Sequence, residues 1–268
     1  MMARILVTGG TTGIGQAVLR QLVNAGHEVI STSRNPQSPE VSVDRFTLDL
    51  SSPESVQAFC NSSCWDKPID AVFNNAGYGL VAPIESASTE AIRQQFEANY
   101  FGTMAITQKA MEHFRQQNRG VLMANTSIGG RMAFPYFGYY NATKHALEAS
   151  YESLWHECRD SNIQIKIIEP GFTQTNFATH GMQMSGEASP YHSKGLSWLA
   201  KSMHEGTTAT PPTDVAQVIV RALFDRKSKL RYHAGKHSGA LLLMRKLLPD
   251  SWFLTLISKA VLRGQESS

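Results

Sequence analysis

Cysteine is scarce in this chain of 268 residues: only Cys60, Cys64 and Cys158 occur. An odd, sparse set with no further ligands at metal spacing excludes a disulfide framework, and it reads as free thiols in a reducing compartment. Charge is scarce as well. Charged residues make up 18% of the chain and the formal net charge is only +3. No run of about five or six like charges occurs, so the sequence carries no nucleic-acid-binding signature. Long apolar runs are also missing; nothing approaches the roughly 18 residues that span a bilayer. Repeats and low-complexity tracts are absent. Met1-Met2-Ala3-Arg4 runs straight into an apolar, β-branched segment. That start is read as leaving no room for a signal peptide, and a cytoplasmic location is expected.

What the chain does have is 42% hydrophobic residues, enough for a sizeable core. Short β-branched runs alternate with longer helical patterns. Ile5 to Thr8, Glu28 to Thr32, Arg45 to Leu48, Ala71 to Asn74, Val121 to Thr126 and Ile163 to Glu169 read as strands. Helical stretches lie at Gly13 to Ala25, Pro53 to Asn61, Thr89 to Gln117 and Tyr139 to Asp160. The alternation predicts an α/β, doubly wound Rossmann fold: a parallel sheet of about seven strands, helices on both faces, one domain over residues 1–268. From about 176 to 211 the pattern dissolves into Gly, Ser, Met and His, and a segment so long and irregular is expected to be a substrate lid. A helix from Pro212 to Asp225, a strand near Leu230 to Ala234 and one apolar helix around Leu241 to Leu262 follow. The last of these forms a C-terminal extension over about 239–264.

Two patterns carry chemistry. Tyr140 and Lys144 are four apart on a predicted helix, so they differ by roughly 40° around its axis and share a face. A nearby ammonium favours phenolate, which predicts a lowered tyrosine pKa and a usable general acid/base. Tyr139 is five residues from Lys144, roughly 140° round, and faces elsewhere. His145, about 100° round from Lys144, points off the shared face, and it and His156 are read as structural or solvent-facing. The second pattern is Thr8-Gly9-Gly10-Thr11-Thr12-Gly13-Ile14-Gly15, directly after a strand and opening a helix. Glycines there allow a tight turn and let the backbone approach a pyrophosphate that rests on helix N-terminal amides.

The spacing Gly-x-x-x-Gly-x-Gly, with the later motifs, resembles the short-chain dehydrogenase/reductase family in its ordinary form of roughly 250 residues. The later motifs are Asn74-Asn75-Ala76-Gly77, Asp49-Leu50, Asn99, Ser127, Tyr140 with Lys144, and Pro170-Gly171-Phe172-Thr173-Gln174-Thr175. They occur in the family's order over residues 3 to 176. The resemblance implies a catalytic set of Asn99, Ser127, Tyr140 and Lys144. It also implies a nicotinamide cofactor held by Gly9, Thr11, Thr12, Gly13, Ile14 and Gly15, by Asp49 and Leu50 at the adenine, and by Asn75, Ala76 and Gly77 at the ribose. Tyr140 and Lys144 would meet the nicotinamide ribose, and Pro170, Gly171, Thr173 and Thr175 the carboxamide. Asn99 would kink its helix and order a water linked to Lys144.

At the end of the second strand stands Thr32-Ser33-Arg34, with no acid to bond a free ribose 2′-hydroxyl. Ser33 and Arg34 instead offer donors suited to a 2′-phosphate, so NADP(H) is expected over NAD(H). The stretch from Ile128 to Pro135 and the Ile168-Glu169-Pro170-Gly171 context look most like the hydroxysteroid and retinol dehydrogenase branch. That likeness implies a lipophilic alcohol or ketone as substrate. Met182, Met184, Trp198, Met203, Leu241, Leu242, Leu243, Trp252 and Phe253 could line its pocket or simply pack. A 3-oxoacyl-thioester or small-ketone reductase and a non-catalytic NADPH sensor stand as alternatives. The resemblance further implies a homodimer or homotetramer. The segment from Leu241 to Leu262 is compatible with a lid, a subunit contact or a peripheral membrane contact.

Overall fold

The computed structural model describes residues 2–35, 43–174, 182–184 and 209–262. Its centre is a seven-stranded parallel sheet. Strands β1 (Arg4–Thr8), β2 (Glu28–Ser33), β3 (Asp44–Thr47), β4 (Ala71–Asn74), β6 (Gly120–Asn125), β7 (Ile163–Pro170) and β9 (Arg231–Ala234) lie in the order β3-β2-β1-β4-β6-β7-β9. The order reverses between β1 and β4. At such a switch point the two connections leave in opposite directions and open a crevice at the carboxyl ends of the strands.

Alternation along each strand divides the core into two layers. Leu6 and Leu122, with Ile163, Ile165 and Ile167, face one side of the sheet. They meet Phe59 of α2 (Pro53–Cys60), Ile106, Ala110 and Phe114 of α4 (Gly102–Gln116), and Leu147 and Tyr151 of α5 (Gly138–Glu157). Ile5, Val7, Phe73, Met123 and Ile168 face the other side. There they meet Val18, Leu19 and Leu22 of α1 (Gly13–Asn24) and Val215, Ala216 and Ile219 of α6 (Pro212–Phe224). Lys166 shares the face of Ile168 and is fully buried. Its Nζ caps the end of α6 by donating to the Ala222 carbonyl at 2.6 Å and to that of Asp225. A cation at a helix C-terminus meets carbonyls that have no intrahelical partner.

The predicted third helix is one rod with an irregular middle: α3 (Thr89–Phe96), a π-turn over Glu97–Phe101, and then α4. Ser88 caps its start by accepting from Ala91 N at 3.1 Å. Two expectations need correction. The apolar C-terminus is two helices, α7 (Ser238–Leu247) and α8 (Asp250–Leu262). Pro249 has no N–H to continue the first, and it pushes Leu248 into an extended conformation (φ −83°, ψ 145°). The stretch expected to be irregular from 176 to 211 contains β8 (Met182–Met184), which pairs in parallel with β5 (Gly79–Val81) as a separate two-stranded ribbon. The rest of that stretch up to 208, with Thr175, Trp198 and Met203, lies outside the described residues.

On the face of β4 covered by α4 and α5, Asn74 Nδ2 donates to Thr107 Oγ1 at 3.0 Å and to Tyr151 Oη at 2.9 Å. Tyr151 Oη and Thr107 Oγ1 are 2.8 Å apart, which closes a buried triangle. Burial pushes the Tyr151 phenol up to about 12, so it stays protonated and able to donate. Tyr151→Phe keeps the ring and leaves both partners one hydrogen bond short. We expect it to cost about 1–3 kcal/mol of stability, read as a lower urea midpoint with an unchanged m-value.

Candidate active site

The glycine turn joins β1 to α1 as the spacing predicts. Gly9 has φ of +67°, and a Cβ built there would lie 2.9 Å from the backbone of Ala76. The N–H groups of Gly9 and Gly10 both donate to Thr32 O, at 3.0 and 3.2 Å, which fixes the turn to the end of β2. At Gly15 a Cβ would stand 2.2 Å from Gly9 O, so α1 approaches its own turn more closely than any side chain permits. Thr12 precedes α1 in extended conformation and makes no side-chain cap, and the first helical turn, with Gly13 and Ile14, holds no acid. The N-terminal amides of α1 thus remain available to an anion. A cavity of about 650 Å³ opens beside them, lined by Thr11, Thr12, Gly13, Arg20 and Gln174.

Around the turn the other expected cofactor residues gather at the carboxyl ends of the strands. Asn75 N and Ala76 N both donate to Thr8 Oγ1, at 2.9 and 3.0 Å. Asn75 Nδ2 donates to Thr8 O at 2.9 Å and to Gly9 O at 3.2 Å. Ser33 ends β2, and Arg34 follows it in an exposed position with no ion pair or hydrogen bond to a described residue. Asp49 Oδ1 accepts from Ser51 N and Ser51 Oγ, at 2.9 and 2.6 Å, and Leu50 beside it is buried. Pro170 ends β7, Gly171 N donates to Ala234 O at 2.9 Å, and Thr173 Oγ1 donates to Gly171 O at 3.1 Å. Thr175 is outside the described residues.

Asn99, Ser127, Tyr140 and Lys144 converge on one spot. Ser127 follows β6 and caps a short turn over Ile128–Gly130, its Oγ accepting from Gly129 N at 3.0 Å. Ser127 and Tyr140 meet across Gly129, where a Cβ would lie 3.3 Å from Ser127 Oγ and 3.6 Å from Tyr140 Cε1. Lys144, one turn further along α5, places Nζ 5.7 Å from the Tyr140 ring centre. Nζ donates to Asn125 O at 2.8 Å. A Cβ on Gly77 would lie 3.0 Å from Asn99 Oδ1 and 3.7 Å from Lys144 Nζ, so the Asn-Asn-Ala-Gly turn, Asn99 and Lys144 share this place. Tyr139 Oη points away, to Ile84 O at 2.9 Å. His145 Nδ1 lies 2.8 Å from Asn141 O, and His156 is exposed at the far end of α5.

One detail differs from expectation. Burial pushes the Tyr140 phenol up to about 12, against the opposing pull of Ser127. Burial also lowers the Lys144 ammonium to about 8, with Glu148 opposing the drop. Desolvation thus sets the direction of both shifts. The Asn99 amide, meanwhile, is engaged with protein. Its Oδ1 accepts from Tyr78 N at 3.0 Å, and its Nδ2 donates to Tyr78 O at 2.8 Å and Thr143 Oγ1 at 3.3 Å. The π-turn brings it there, and it clamps the segment after Gly77.

Several supporting residues were not anticipated. Asn125 supplies the carbonyl for Lys144, and its Nδ2 donates to Asn75 Oδ1 at 3.0 Å. Thr126 Oγ1 donates to Glu148 Oε1 at 2.6 Å. Glu148 is buried one turn beyond Lys144, and its Oε2 meets Arg231 Nε at 3.0 Å. Glu169, also buried, lies 2.5 Å from His233 Nδ1 and 3.6 Å from both Arg131 and Arg231. The sequence signal was a Glu four residues after the lysine and another just before Pro170, both at positions otherwise reading as buried.

The family model for short chain dehydrogenases matches residues 3–185. The chain belongs to the short-chain dehydrogenase family. It is an oxidoreductase, and among structures of the same fold one holds NADP and another NAD. An uncharacterised oxidoreductase of Schizosaccharomyces pombe is 35% identical over 191 residues, covering 69% of this chain and 78% of that protein. A 3-ketodihydrosphingosine reductase of Bacteroides thetaiotaomicron is 28% identical, covering 92% of this chain and 93% of its own length. A short-chain dehydrogenase of Streptomyces avermitilis superposes with a TM-score of 0.80 at 28% identity, covering 99% of this chain and all of its own. None of these descriptions singles out the hydroxysteroid and retinol branch.

Glu148→Gln keeps the shape while removing the charge that opposes deprotonation of Lys144. The ammonium is the charged form, so loss of a neighbouring anion must lower its pKa further. Lysine-selective carbon NMR should place the Lys144 titration below the wild-type value of about 8. An unchanged midpoint would mean that Glu148 has no electrostatic hold on the site.

Proposed function

We propose that this short-chain dehydrogenase is an NADPH-dependent reductase of a lipophilic ketone. In this reading it interconverts carbonyl and alcohol, with Tyr140 handling the proton. The observation that carries the reading is the juxtaposition of Ser127 and Tyr140 beside the buried Lys144, next to an anion-ready glycine turn.

Bound NADPH would supply the hydride. Thr11, Thr12, Gly13 and the first amides of α1 suit its pyrophosphate, and Arg34 its 2′-phosphate. By family likeness, Asp49 and Leu50 would border the adenine, Asn75 to Gly77 the adenosine ribose, Lys144 the nicotinamide ribose and Thr173 the carboxamide. Ser127 donates to the substrate oxygen and stabilises the charge that develops on it. Tyr140 gives its phenolic proton to that oxygen. A phenol held near 12 is protonated at neutral pH, which suits proton donation and hence reduction. Lys144, charged below about 8, sits close enough to stabilise the phenolate left behind. Asn99 acts by holding Tyr78 and Thr143 in place around this group.

The lipophilic substrate rests on two supports. The wall beside Tyr140 is aromatic: Phe137 stacks edge-on to it at 6.1 Å, and Phe134 meets Phe172 at 5.7 Å, with Phe172 half exposed. A relative that aligns over nearly its whole length is named for reduction of a ketolipid. The three free cysteines accord with a reducing, cytoplasmic setting.

Tyr140→Phe should cut turnover of a lipophilic ketone by roughly 10²–10⁴-fold while NADPH binding, followed by cofactor fluorescence, persists. Undetectable wild-type turnover across ketolipid, steroid, acyl-thioester and small-ketone panels, with NADPH still bound, would favour a sensor. Arg34→Ala should weaken NADPH binding by roughly tenfold to hundredfold, the worth of a charge-assisted hydrogen bond, and leave NADH unaffected. Equal loss for both cofactors would remove Arg34 from the 2′-phosphate.

A further inference from the structure

Exposed large apolar side chains are concentrated in one place. Leu243, Met244, Leu247, Trp252, Leu254 and Leu256 all lie on α7 and α8, with Leu247 and Trp252 at 70% and 68% exposure. Helix α8 stands on Phe253 and Ile257, which are buried against Ile128 and Met132. Its other faces are open. Trp252, Leu256 and Lys259 follow at i, i+4 and i+7 along one of them, and on α7 Leu243 and Leu247 are four apart.

Charge is concentrated in the same segment. Between 236 and 262 stand Lys236, Arg245, Lys246 and Lys259 against Asp250 alone, four positive charges less one negative, or +3. The whole chain also carries +3, so the remainder sums to zero. Arg245 is engaged, paired with Asp250 and lying 5.3 Å over the Phe253 ring. Lys236, Lys246 and Lys259 make no ion pair with a described residue. Apolar side chains flanked by free lysines match the interface of an anionic bilayer, whose acyl boundary takes the first and whose headgroups attract the second. A two-fold contact with a second copy would set like charges against like, which is unfavourable. No helix among the described residues is long and apolar enough to cross a membrane.

We infer that α7 and α8 form a docking face that seats the enzyme on an anionic lipid surface. The face lies beside the turn that follows Ser127, because Ile128 and Met132 are what α8 rests on. A ketolipid would then reach the site from the bilayer; that last step rests on the reductase reading above, while docking itself does not.

The test is sedimentation of the full chain with vesicles of phosphatidylglycerol and phosphatidylcholine in equal parts, and with phosphatidylcholine alone. Wild-type protein should pellet with the anionic vesicles, less so as salt rises. Lys246→Ala combined with Lys259→Ala should lower partitioning roughly thirtyfold at low salt. Trp252 emission should shift to the blue on binding, with Trp252→Phe as its control. Turnover of a water-soluble ketone, measured without vesicles in the same preparations, should be unchanged by the double lysine variant. Loss of that turnover in wild type would count against the reductase reading alone. Failure to pellet, or equal pelleting of the double lysine variant, overturns docking. So does conversion of a dimer to a monomer by Trp252→Glu in light scattering, since the face would then be a subunit contact.

Discussion

The site depends on a buried ammonium. Lys144 is 5% exposed on the inner face of α5, and an unpartnered cation there would cost several kcal/mol. Its partner is the Asn125 carbonyl at 2.8 Å, at the last residue of β6. From there hydrogen bonds continue without a gap: Asn125 donates to Asn75, and Asn75 donates to Thr8 and Gly9. The lysine and the glycine turn are thus joined through three strand ends. The spacing between the buried ammonium and the glycine turn is set by backbone-anchored amides rather than by loops.

A second layer of charge supports the first. Glu148 and Glu169 are both buried, and burial, with the charge of Glu169 beside it, pushes the Glu148 carboxyl above its ordinary range. Arg231 from β9 and Arg131 from the turn after Ser127 lie near both carboxylates, and His233 meets Glu169 from the sheet edge. These contacts tie β9 and α5 to the end of β7, directly before Pro170-Gly171. An apolar replacement could fill the space. It could not hold Thr126 while keeping an anion one helical turn from Lys144.

Much of this was legible in the residues. Strand and helix alternation specified a parallel sheet because each βαβ crossover must bury both faces, and the glycine spacing fits only a turn in which α1 crowds its own entry. Other features depended on packing that no local pattern encodes. Gly79-Leu80-Val81 is too short to read as a strand, and its partner lies more than a hundred residues away at Met182–Met184. Lys166 and Glu169 interrupt an apolar strand and look like edge residues, yet each is fully buried against a specific partner. The break at Pro249 was visible in principle, since proline cannot continue α7; the apolar run across it masked the signal. The Tyr140 pKa shows the limit most clearly. A neighbouring lysine can be read from spacing, whereas the dehydration that raises the phenol belongs to the folded cleft alone.

The C-terminal helices bear on the site through a small satellite core. Ile128 and Met132 belong to the segment that carries Ser127 out of β6, and Phe253 and Ile257 cover them, with Leu241, Leu242 and Leu248 around the edge. Four buried side chains make a modest anchor for two helices, and the helices' outer faces gain nothing from the protein interior. Apolar area left in water forgoes about 25 cal/mol for each Å² it could bury, so six large exposed side chains are a standing cost unless something covers them. Their neighbours are lysines without counter-charges, which favours an anionic cover over an apolar one alone. The segment that carries Ser127 is thereby the one on which α8 rests, and in the proposed reading substrate access and surface attachment are set by the same few contacts.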